Sequence, residues 1–450
     1  MRQGCSTVFV SLVRSFIVLS SLALPVSAVA QPVGHVPFTN PGIGQMEINP
    51  NTDRVYIAGG FAQNFMTVID ASNPSSPSIV TTISAGNGGS GVIVNPTANT
   101  FFTSNGFSGQ VLRYDGVTNT QNGTVGIGAC GGIFDYNPNT NLVYVVRQCA
   151  GGGPPAGVDP MYAIDAATMG IVGNNLGTGG VVGTVRVNRA TGKAYARASA
   201  NTSVFGPSPA FTFGPQIPNV YPVAVNHHNN RLYLQNVSTG AIHVHDGATD
   251  GFITTLPPAG AFSVNTANDH LYVTDPPGGN SIKVLDGVSH NLITTLTIPS
   301  GKAVQVITAD STKNRLYVVG CVPATCSSTS ELYVLLDPDS GIRCEIDMSQ
   351  PSYTSGQTIT ATSLRFANTN TTAASVEIKV WLGAPTGKLP IINVPAASFP
   401  AGLDVNLGPV PLFPVTAATP PGQWEFSCRI LDPITGKLLA EDLNGFVVVP

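Results

Sequence analysis

Charged residues are scarce in this chain. Asp, Glu, Lys and Arg make up 10% of its 450 residues, and the formal net charge is -4, whereas charged residues average about 25% in soluble domains. No Lys/Arg-rich stripe of the kind that nucleic-acid binding requires is present, nor any polybasic or amphipathic membrane segment. The composition therefore argues against nucleic acid as a partner.

Long apolar segments and familiar catalytic motifs are also missing. The apolar run from Phe16 to Val26 is too short for a membrane span, and no later segment approaches one, so no membrane span is predicted. No window sustains helical periodicity. The chain contains no Gly-x-Ser-x-Gly elbow, His-Glu-x-x-His pair, phosphate loop or haem-binding Cys-x-x-Cys-His motif.

What the chain does have is an aromatic strand phrase that recurs seven times after an Asn- or Asp-headed turn. The phrases are centred on Tyr56, Phe102, Tyr144, Tyr195, Tyr233, Tyr272 and Tyr317. The turn residues are Asn49, Asn95, Asn137, Asn188, Asn226, Asn265 and Asp310, with gaps of 46, 42, 51, 38, 39 and 45 residues. A second marker, an Asp that closes another strand, is absent from the fourth repeat only. This period indicates a four-stranded β-propeller blade rather than a helical repeat.

The wording of these phrases points to a family. Asn-Pro-x-Thr-Asn-x-hydrophobic-Tyr-Val and Val-x-hydrophobic-Asp-Gly phrases resemble the YVTN-type seven-bladed β-propellers of bacteria and archaea, over roughly residues 33–340. The resemblance implies an all-β fold with a seven-bladed β-propeller at residues 31–340. It implies little about catalysis, because propellers host many unrelated functions.

The two ends of the chain differ from the repeats. Residues 1–30 are typical of a signal peptide, with Arg2 and Arg14, the apolar run and small residues at Ala28–Ala30, which predicts an exported, periplasmic or secreted protein. Residues 341–450 are predicted to form an immunoglobulin-like β-sandwich, because the segments at 375–382 and 424–430 alternate in polarity. Its Trp381 and Trp424 are expected in the sandwich core. The tail from Cys428 resembles a module appended to many secreted bacterial proteins.

Six cysteines follow the predicted signal peptide, and an even count in an exported protein favours disulfides over metal or catalytic thiols. Repeat positions favour the pairs Cys130–Cys149, Cys321–Cys326 and Cys344–Cys428. Each pair then lies within one repeat or within the C-terminal region.

Candidate ligand-binding residues lie where the aromatic strands end. They are Asn105, Arg147, Arg197, Asn236 and Asp275, and we expect them around the mouth of the propeller channel, beside the variable loops between second and third strands. Asn105, Asn236 and Asp275 supply oxygen atoms that a Ca²⁺ site could use, so a divalent cation stays open as a cofactor, although turn formation is the commoner role of such residues.

Polar residues also stand two positions before some turn residues, on the strands expected to line the channel. Asp135 and Arg186 belong to neighbouring repeats and could form an ion pair, whereas Glu47 and Asp135 are two repeats apart, which argues against a carboxylate pair for acid/base chemistry. The histidines, among them His227, His228 and His270, are interpreted as solvated turn or strand residues.

Two classes of function fit the sequence. The first is an exported, non-catalytic binding protein that uses the loop face as a platform for a protein, cell-surface or carbohydrate ligand. The second is a lactonase-like, metal-dependent hydrolase or lyase with its site in the propeller channel. The absence of a catalytic motif favours the first.

Overall fold

The computed structural model describes residues 34–39, 42–60, 63–85, 91–106, 108–128, 131–147, 161–173, 183–313, 315–323, 326, 329–337, 341–350, 352–368, 370, 372–385, 387–434, 436 and 438–449. Within these ranges the regular structure is β-strand throughout, so the predicted all-β class is confirmed. Residues 1–30, predicted as a signal peptide, lie outside the described part. Backbone contacts divide most of the chain into two compact units, Pro32–Asp310 with Arg315–Leu336, and Asp337–Pro450.

The first unit contains strands of three to eight residues. In chain order they are β1 (Gly34–Phe38), β2 (Ile43–Asn49), β3 (Arg54–Gly59), β4 (Phe65–Asp70), β5 (Ser78–Ser84), β6 (Val92–Asn95), β7 (Thr100–Asn105), β8 (Gln110–Asp115), β9 (Gln121–Gly126), β10 (Gly131–Asn137), β11 (Leu142–Arg147), β12 (Met161–Asp165), β13 (Ile171–Gly173), β14 (Val185–Val187), β15 (Ala194–Ala198), β16 (Asn201–Phe205), β17 (Phe213–Ile217), β18 (Val220–Asn226), β19 (Arg231–Asn236), β20 (Ala241–Asp246), β21 (Phe252–Pro258), β22 (Phe262–Asn265), β23 (His270–Thr274), β24 (Ser281–Asp286), β25 (Leu292–Thr297), β26 (Ala303–Asp310), β27 (Arg315–Cys321) and β28 (Ser330–Leu336).

These strands form seven four-stranded antiparallel sheets, one for each sequence repeat. Sheets 1 to 6 take consecutive strands: β2–β5, β6–β9, β10–β13, β14–β17, β18–β21 and β22–β25. Sheet 7 contains β26, β27 and β28, and its fourth strand is β1, whose Val36 is paired with Leu332. The fourth repeat forms a complete sheet although it lacks the closing Asp, since Phe205 ends β16 in its place.

The apolar core of this unit lies between neighbouring sheets. Seven clusters of buried side chains each join two sheets that follow one another, and one of them joins sheet 7 to sheet 1 through Tyr317, Leu332, Val55 and Met46. The first strand of each sheet contacts the first strand of the next, and β26 contacts β2. Burial of both faces explains why the second strands are continuously apolar rather than alternating.

The repeated aromatic residue fills these inter-sheet layers. Tyr56, Phe102, Tyr195 and their equivalents are at most 1% exposed. The ring of Tyr56 in sheet 1, for example, lies 4.5 Å from that of Phe101 in sheet 2. Burial of this aromatic side chain therefore stabilises each contact between sheets by about 2–3 kcal/mol.

The turn residues connect the sheets by side-chain hydrogen bonds. Each amide nitrogen donates to a residue just before the second strand of the following sheet, in the pairs Asn49–Asn99 (2.8 Å), Asn95–Asn141 (3.2 Å), Asn188–Asn230 (2.6 Å) and Asn226–Asp269 (2.6 Å). All four accepting residues have positive φ. Asn and Asp tolerate this conformation better than other non-glycine residues, which explains the composition of the turns.

The second marker, the Asp at the end of the third strand, shapes the next turn. Asp115 Oδ1 accepts hydrogen bonds from the backbone N–H groups of Val117 and Thr118 and from Thr118 Oγ1, at 2.8–3.0 Å. Asp165, Asp246 and Asp286 make the same set of bonds. The conserved spacing of this marker within the chain therefore has a structural cause.

The second unit is built from longer strands. They are β29 (Ile342–Met348), β30 (Ser352–Tyr353), β31 (Thr358–Asn368), β32 (Ala374–Ala384), β33 (Gly387–Phe399), β34 (Asp404–Asn406), β35 (Val410–Pro414), β36 (Gly422–Leu431) and β37 (Leu438–Val448). One sheet has the order β29-β31-β34, with β35 also paired to β31, and the other has the order β30-β37-β36-β32-β33. Both sheets contribute side chains to one hydrophobic core.

A disulfide connects the two sheets of this unit. It joins Cys344 of β29 to Cys428 of β36, with a Cα–Cα distance of 6.4 Å, within the usual range for such bridges. Trp424 lies in the core, as predicted, and its Nε1 donates to Pro420 O at 2.9 Å. The core assignment of Trp381 is wrong. Trp381 alternates with the buried Val380 and Leu382 along β32, so its side chain lies on the outer face of the sheet, partly exposed.

Candidate functional site

The five predicted ligand-binding residues occupy equivalent places in their sheets. Asn105, Arg147 and Asn236 end β7, β11 and β19, Arg197 is the last but one residue of β15, and Asp275 follows β23. Among the four whose side chains are described, no hydrogen bond or ion pair joins one to another; for Arg147 only the backbone is described, paired with Gly131.

Asn236 forms a turn. Its Oδ1 accepts hydrogen bonds of 3.0 Å from the backbone N–H groups of Ser238 and Thr239, and its carbonyl accepts from Gly240 N at 2.9 Å. Asn105 pairs with Gln110 through the backbone, and its carbonyl accepts a hydrogen bond of 3.3 Å from Ser108 Oγ. The Asn236 oxygen that a calcium site would use is thus engaged in a local turn.

Arg197 belongs to a cluster between sheets 4 and 5. Its guanidinium carbon lies 4.7 Å from the centre of the Tyr221 ring, and its Nε donates to Ser199 O at 3.0 Å. The Tyr221 hydroxyl donates to Gln235 Oε1, and Gln235 Nε2 donates to Ala259 O at 2.6 Å. Burial raises the pKa of Tyr221, and the nearby Arg197 charge opposes that rise. The result is an aromatic ring with a cation stacked on it, held at the end of the sheets where the predicted loops lie.

Asp275 forms an ion pair with Lys283 of the same sheet, with 34% and 40% of the two side chains exposed. Such an exposed pair contributes little to stability, about 0–1 kcal/mol. A charged ligand at this edge would therefore separate the two groups at little cost in stability.

A pocket that the repeat pattern does not predict lies at the same edge of sheet 7. It has a volume of about 310 Å³ and is lined by Pro37, Phe38, Thr39, Lys302, Thr329, Ser330 and Glu331. Lys302 Nζ donates to Glu331 Oε1 at 2.7 Å, and the Tyr333 hydroxyl donates to Glu331 Oε2. The hydrogen bond from Lys302 is the main cause that lowers the pKa of Glu331.

Ser330 is the most unusual residue of this pocket. It is 2% exposed, and its buried hydroxyl has no hydrogen-bond partner within the described chain. An unpaired buried hydroxyl costs about 1–3 kcal/mol. A ligand group that reached this hydroxyl after a rearrangement of the pocket lining would recover that cost. Two pocket walls come from β1 and β28, which are distant in sequence, and this explains why repeat analysis missed the site.

A disulfide lies at the end of β27, in the same sheet as the pocket. Cys321, at the end of β27, is bonded to Cys326 with a Cα–Cα distance of 5.0 Å, as predicted. Of the three predicted bridges, Cys321–Cys326 and Cys344–Cys428 are confirmed. Cys130 and Cys149 lie outside the described residues, so their pairing stays a prediction.

A second polar cluster lies on the first strands of the sheets. Gln45 of sheet 1 donates through Nε2 to Phe134 O (2.9 Å) and accepts through Oε1 from Phe134 N (3.0 Å), which bypasses sheet 2 and joins sheet 1 to sheet 3. Gln45 Nε2 also donates to Glu47 Oε1 at 3.3 Å. Glu47 and Asp135 are two repeats apart, as expected, but the Gln45 side chain joins the strands that carry them.

The charge of Asp135 also acts on the Glu47 carboxyl. Burial is the main cause that raises the pKa of Glu47 to about 7, and the charge of Asp135 raises it further, whereas Arg186 and Arg189 lower it. The predicted ion pair between Asp135 and Arg186 is wrong. Asp135 accepts from the N–H groups of Tyr136 and Val187 at 2.7 Å, and Arg186 Nε donates to Val223 O at 2.8 Å. Both side chains satisfy backbone groups instead.

The histidines are less solvated than predicted. His245 and His270 are each 5% exposed, and His228 Nδ1 lies 3.1 Å from Asp269 Oδ2. Within the described residues, no group of three or more His, Cys, Asp or Glu side chains is arranged to hold a metal ion. The described residues also include no helix long and apolar enough to cross a membrane.

Comparison with known proteins adds no assignment. No protein-family model matches the chain, and a search of the curated proteins gives no match.

Proposed function

We propose that this chain is an exported, non-catalytic binding protein. In this proposal the seven sheets form a YVTN-type β-propeller at residues 31–340, and the second unit is an immunoglobulin-like β-sandwich at residues 341–450. The cyclic contacts between first strands and the completion of sheet 7 by β1 support the propeller. The two confirmed disulfides support an oxidising, periplasmic or secreted location.

The binding surface is the loop face, defined as the ends of the second strands together with the loops to the third strands. The observation that carries this assignment is the pocket at the edge of sheet 7, because it combines a concave shape with convergent polar groups. Its volume suits a small hydroxylated group, such as a single sugar ring or a polar peptide side chain. Arg197 with Tyr221, and Asp275 with Lys283, supply further charged and aromatic contacts on sheets 4 to 6.

A thermal-shift screen of the mature chain against neutral sugars, acidic sugars and short peptides tests this proposal. We expect at least one compound to raise Tm in the full chain and not in Ser330→Val, which fills the hydroxyl position with a methyl group. Asn201→Ala, on the same edge of sheet 4, serves as control. If every hit stabilises Ser330→Val as strongly as the unmodified chain, the pocket is not the binding site.

One observation favours the alternative, a metal-dependent hydrolase or lyase in the channel. Glu47 and Asp135 are close enough to interact, and the pKa of Glu47 is raised to about 7, which suits a general acid or base. Metal analysis of the purified protein and a lactone-hydrolysis assay with added Ca²⁺ test this function. Activity that disappears in Glu47→Gln would favour the enzyme over the binding protein.

A further inference from the structure

The outer face of the five-stranded sheet carries an indole surrounded by charged groups. Trp381 of β32 is paired across the sheet with Pro390 of β33 and Ser427 of β36. Cross-strand partners lie on the same face of a sheet, so these residues form the floor of the surface. Ser427 is fully buried there, and its hydroxyl has no partner within the described chain.

Glu425 fixes the position of the indole. Trp381 Nε1 donates to Glu425 Oε1 at 3.2 Å. Glu425 is paired with Gly383, and a Cβ atom on Gly383 would overlap the Glu425 side chain. The glycine thus makes room for the carboxylate beside the ring, and the second Glu425 oxygen remains an acceptor for a ligand hydroxyl.

Two cations approach the ring from opposite ends. Lys388 Nζ lies 4.5 Å from the ring centre, and Lys388 is the cross-strand partner of Gly383. The Arg429 guanidinium lies 5.6 Å from the ring centre, and Arg429 is the cross-strand partner of Lys379. Lys379 is neutralised by Glu377 at 2.9 Å. Lys388 makes no hydrogen bond or ion pair with any described residue, so its ammonium donors face solvent above the indole.

We propose that this surface, the Trp381 platform (Trp381, Lys388, Glu425 and Arg429), binds an acidic saccharide. In the complex, Lys388 moves off the indole and donates hydrogen bonds to the sugar carboxylate. The C–H groups of the sugar ring pack against the ring face that Lys388 leaves, and Glu425 accepts from a hydroxyl. A uronic acid matches this chemistry, because it carries one carboxylate per ring and the platform has one cation without a carboxylate partner. The site is separate from the loop face and does not depend on the function proposed for it.

The chain provides a convenient signal for a test. It contains two tryptophans, and Trp424 is 4% exposed in the core, so ligand-induced changes in indole fluorescence report mainly on Trp381. Trigalacturonate is titrated into the mature full chain, with neutral galactotriose, oligoglutamate and anionic lipid vesicles as comparisons. We expect a saturable fluorescence change with trigalacturonate and at least about tenfold weaker binding of the other three. Galactotriose lacks the carboxylate that Lys388 binds, and oligoglutamate and the vesicles lack a sugar ring to pack on the indole.

Variants decide whether the platform is responsible. Lys388→Ala should weaken calorimetric binding of trigalacturonate about tenfold and Lys388→Arg should restore it, whereas Trp381→Ala should abolish it. Ile434→Ala, at a 91% exposed apolar residue of the same unit, is the control and should bind normally. No binding of trigalacturonate, unchanged binding by Lys388→Ala, or equal binding of oligoglutamate or vesicles would overturn the proposal.

Discussion

Asn188 Nδ2 donates a hydrogen bond of 2.6 Å to Asn230 Oδ1, and this bond crosses from sheet 4 to sheet 5. Asn188 is fully buried, and its own Oδ1 accepts from Ala190 N at 3.0 Å. Gly247, the glycine after the closing Asp of sheet 5, lies against both amides, and a Cβ atom there would overlap them. The Asn turn, the positive-φ residue and the Asp-Gly turn are thus three parts of one contact between sheets.

Replacing Asn188 by Ala should therefore destabilise the first unit by about 1–3 kcal/mol, because it leaves buried polar partners unpaired. Urea unfolding followed by tyrosine absorbance measures the change. Asn73→Ala is the matched control, since Asn73 is exposed and its side chain accepts one local bond from Ser75 N. Equal effects of the two substitutions would contradict a special role for the inter-sheet bond.

The disulfide between Cys344 and Cys428 should dominate the redox dependence of stability. It closes a sequence separation of 84 residues, whereas Cys321–Cys326 closes 5. In the chain-entropy account the long loop is worth about 4 kcal/mol and the short one about 2 kcal/mol. The double substitutions Cys344→Ala with Cys428→Ala, and Cys321→Ala with Cys326→Ala, compared by denaturant unfolding, check this order.

Peptide mapping without reductant should find a third bridge, Cys130–Cys149, beside these two. The proposed export would supply an oxidising compartment in which all six thiols that follow residue 30 can pair. Free thiols at Cys130 and Cys149, or a bridge from either residue to the second unit, would show that the repeat-based pairing is wrong.

Glu47 should make stability fall as the pH rises from about 4.5 to 7. Its folded-state pKa of about 7 lies above the ordinary value of 4.5, so the folded chain binds more protons than the unfolded chain in this window. The stabilisation is fully present below pH 4.5 and is lost as pH increases toward 7, on the order of 1–3 kcal/mol. Urea midpoints across this range should flatten in Glu47→Gln.

Glu331 should have the opposite effect on the pH dependence of stability. The pKa of Glu331 is lowered, chiefly by its hydrogen bond from Lys302, so its contribution is present at neutral pH and lost on acidification. Glu331→Gln should thus be less stable than the unmodified chain at pH 7. A fall in midpoint toward pH 7 that persists in Glu47→Gln would assign the dependence to another group.

Substitution of Arg147, Arg197 and Asp275 together by Ala should abolish binding of any loop-face ligand found by the thermal-shift screen. The circular-dichroism spectrum and the Tm of the free protein should change little, because the Asp275 pair is exposed and Arg197 makes one hydrogen bond, to Ser199 O, and one ring contact, with Tyr221. The comparison set is His227→Ala, His228→Ala and His270→Ala. Loss of binding in the histidine set alone, with its fold retained, would place the site on the opposite edge of the sheets.

Limited proteolysis of the mature chain should release a fragment that starts between residues 338 and 356. The contacts of the chain divide at Leu336 and Asp337, and exposed connections between compact units are preferred cleavage sites. N-terminal sequencing of the resistant fragment checks the boundary. Resistance of this whole segment at protease levels that cut other loops would contradict it.

Local pattern was sufficient for most of the repeat. The Asn turn, the aromatic strand and the closing Asp could all be predicted from the sequence. Each of them makes its contacts with residues a few positions away or with the equivalent position of the next repeat. Trp381 shows the limit of such reasoning. The strand that carries Trp381 was predicted. Which face of the sheet is buried depends on the strands that pack over it, and the spacing of residues within one strand does not determine this.

The sequence by itself determined the all-β class, the number of four-stranded units and the positions of their turns, since a repeated pattern must bury the same side chains at each repeat. Only the tertiary structure decided which distant segments meet. It brought β1 beside β28 to complete sheet 7 and build the pocket, and it joined Gln45 to Phe134, which places Glu47 near Asp135. These contacts arise from the arrangement of the sheets around one another, and no local spacing encodes a distance across that arrangement.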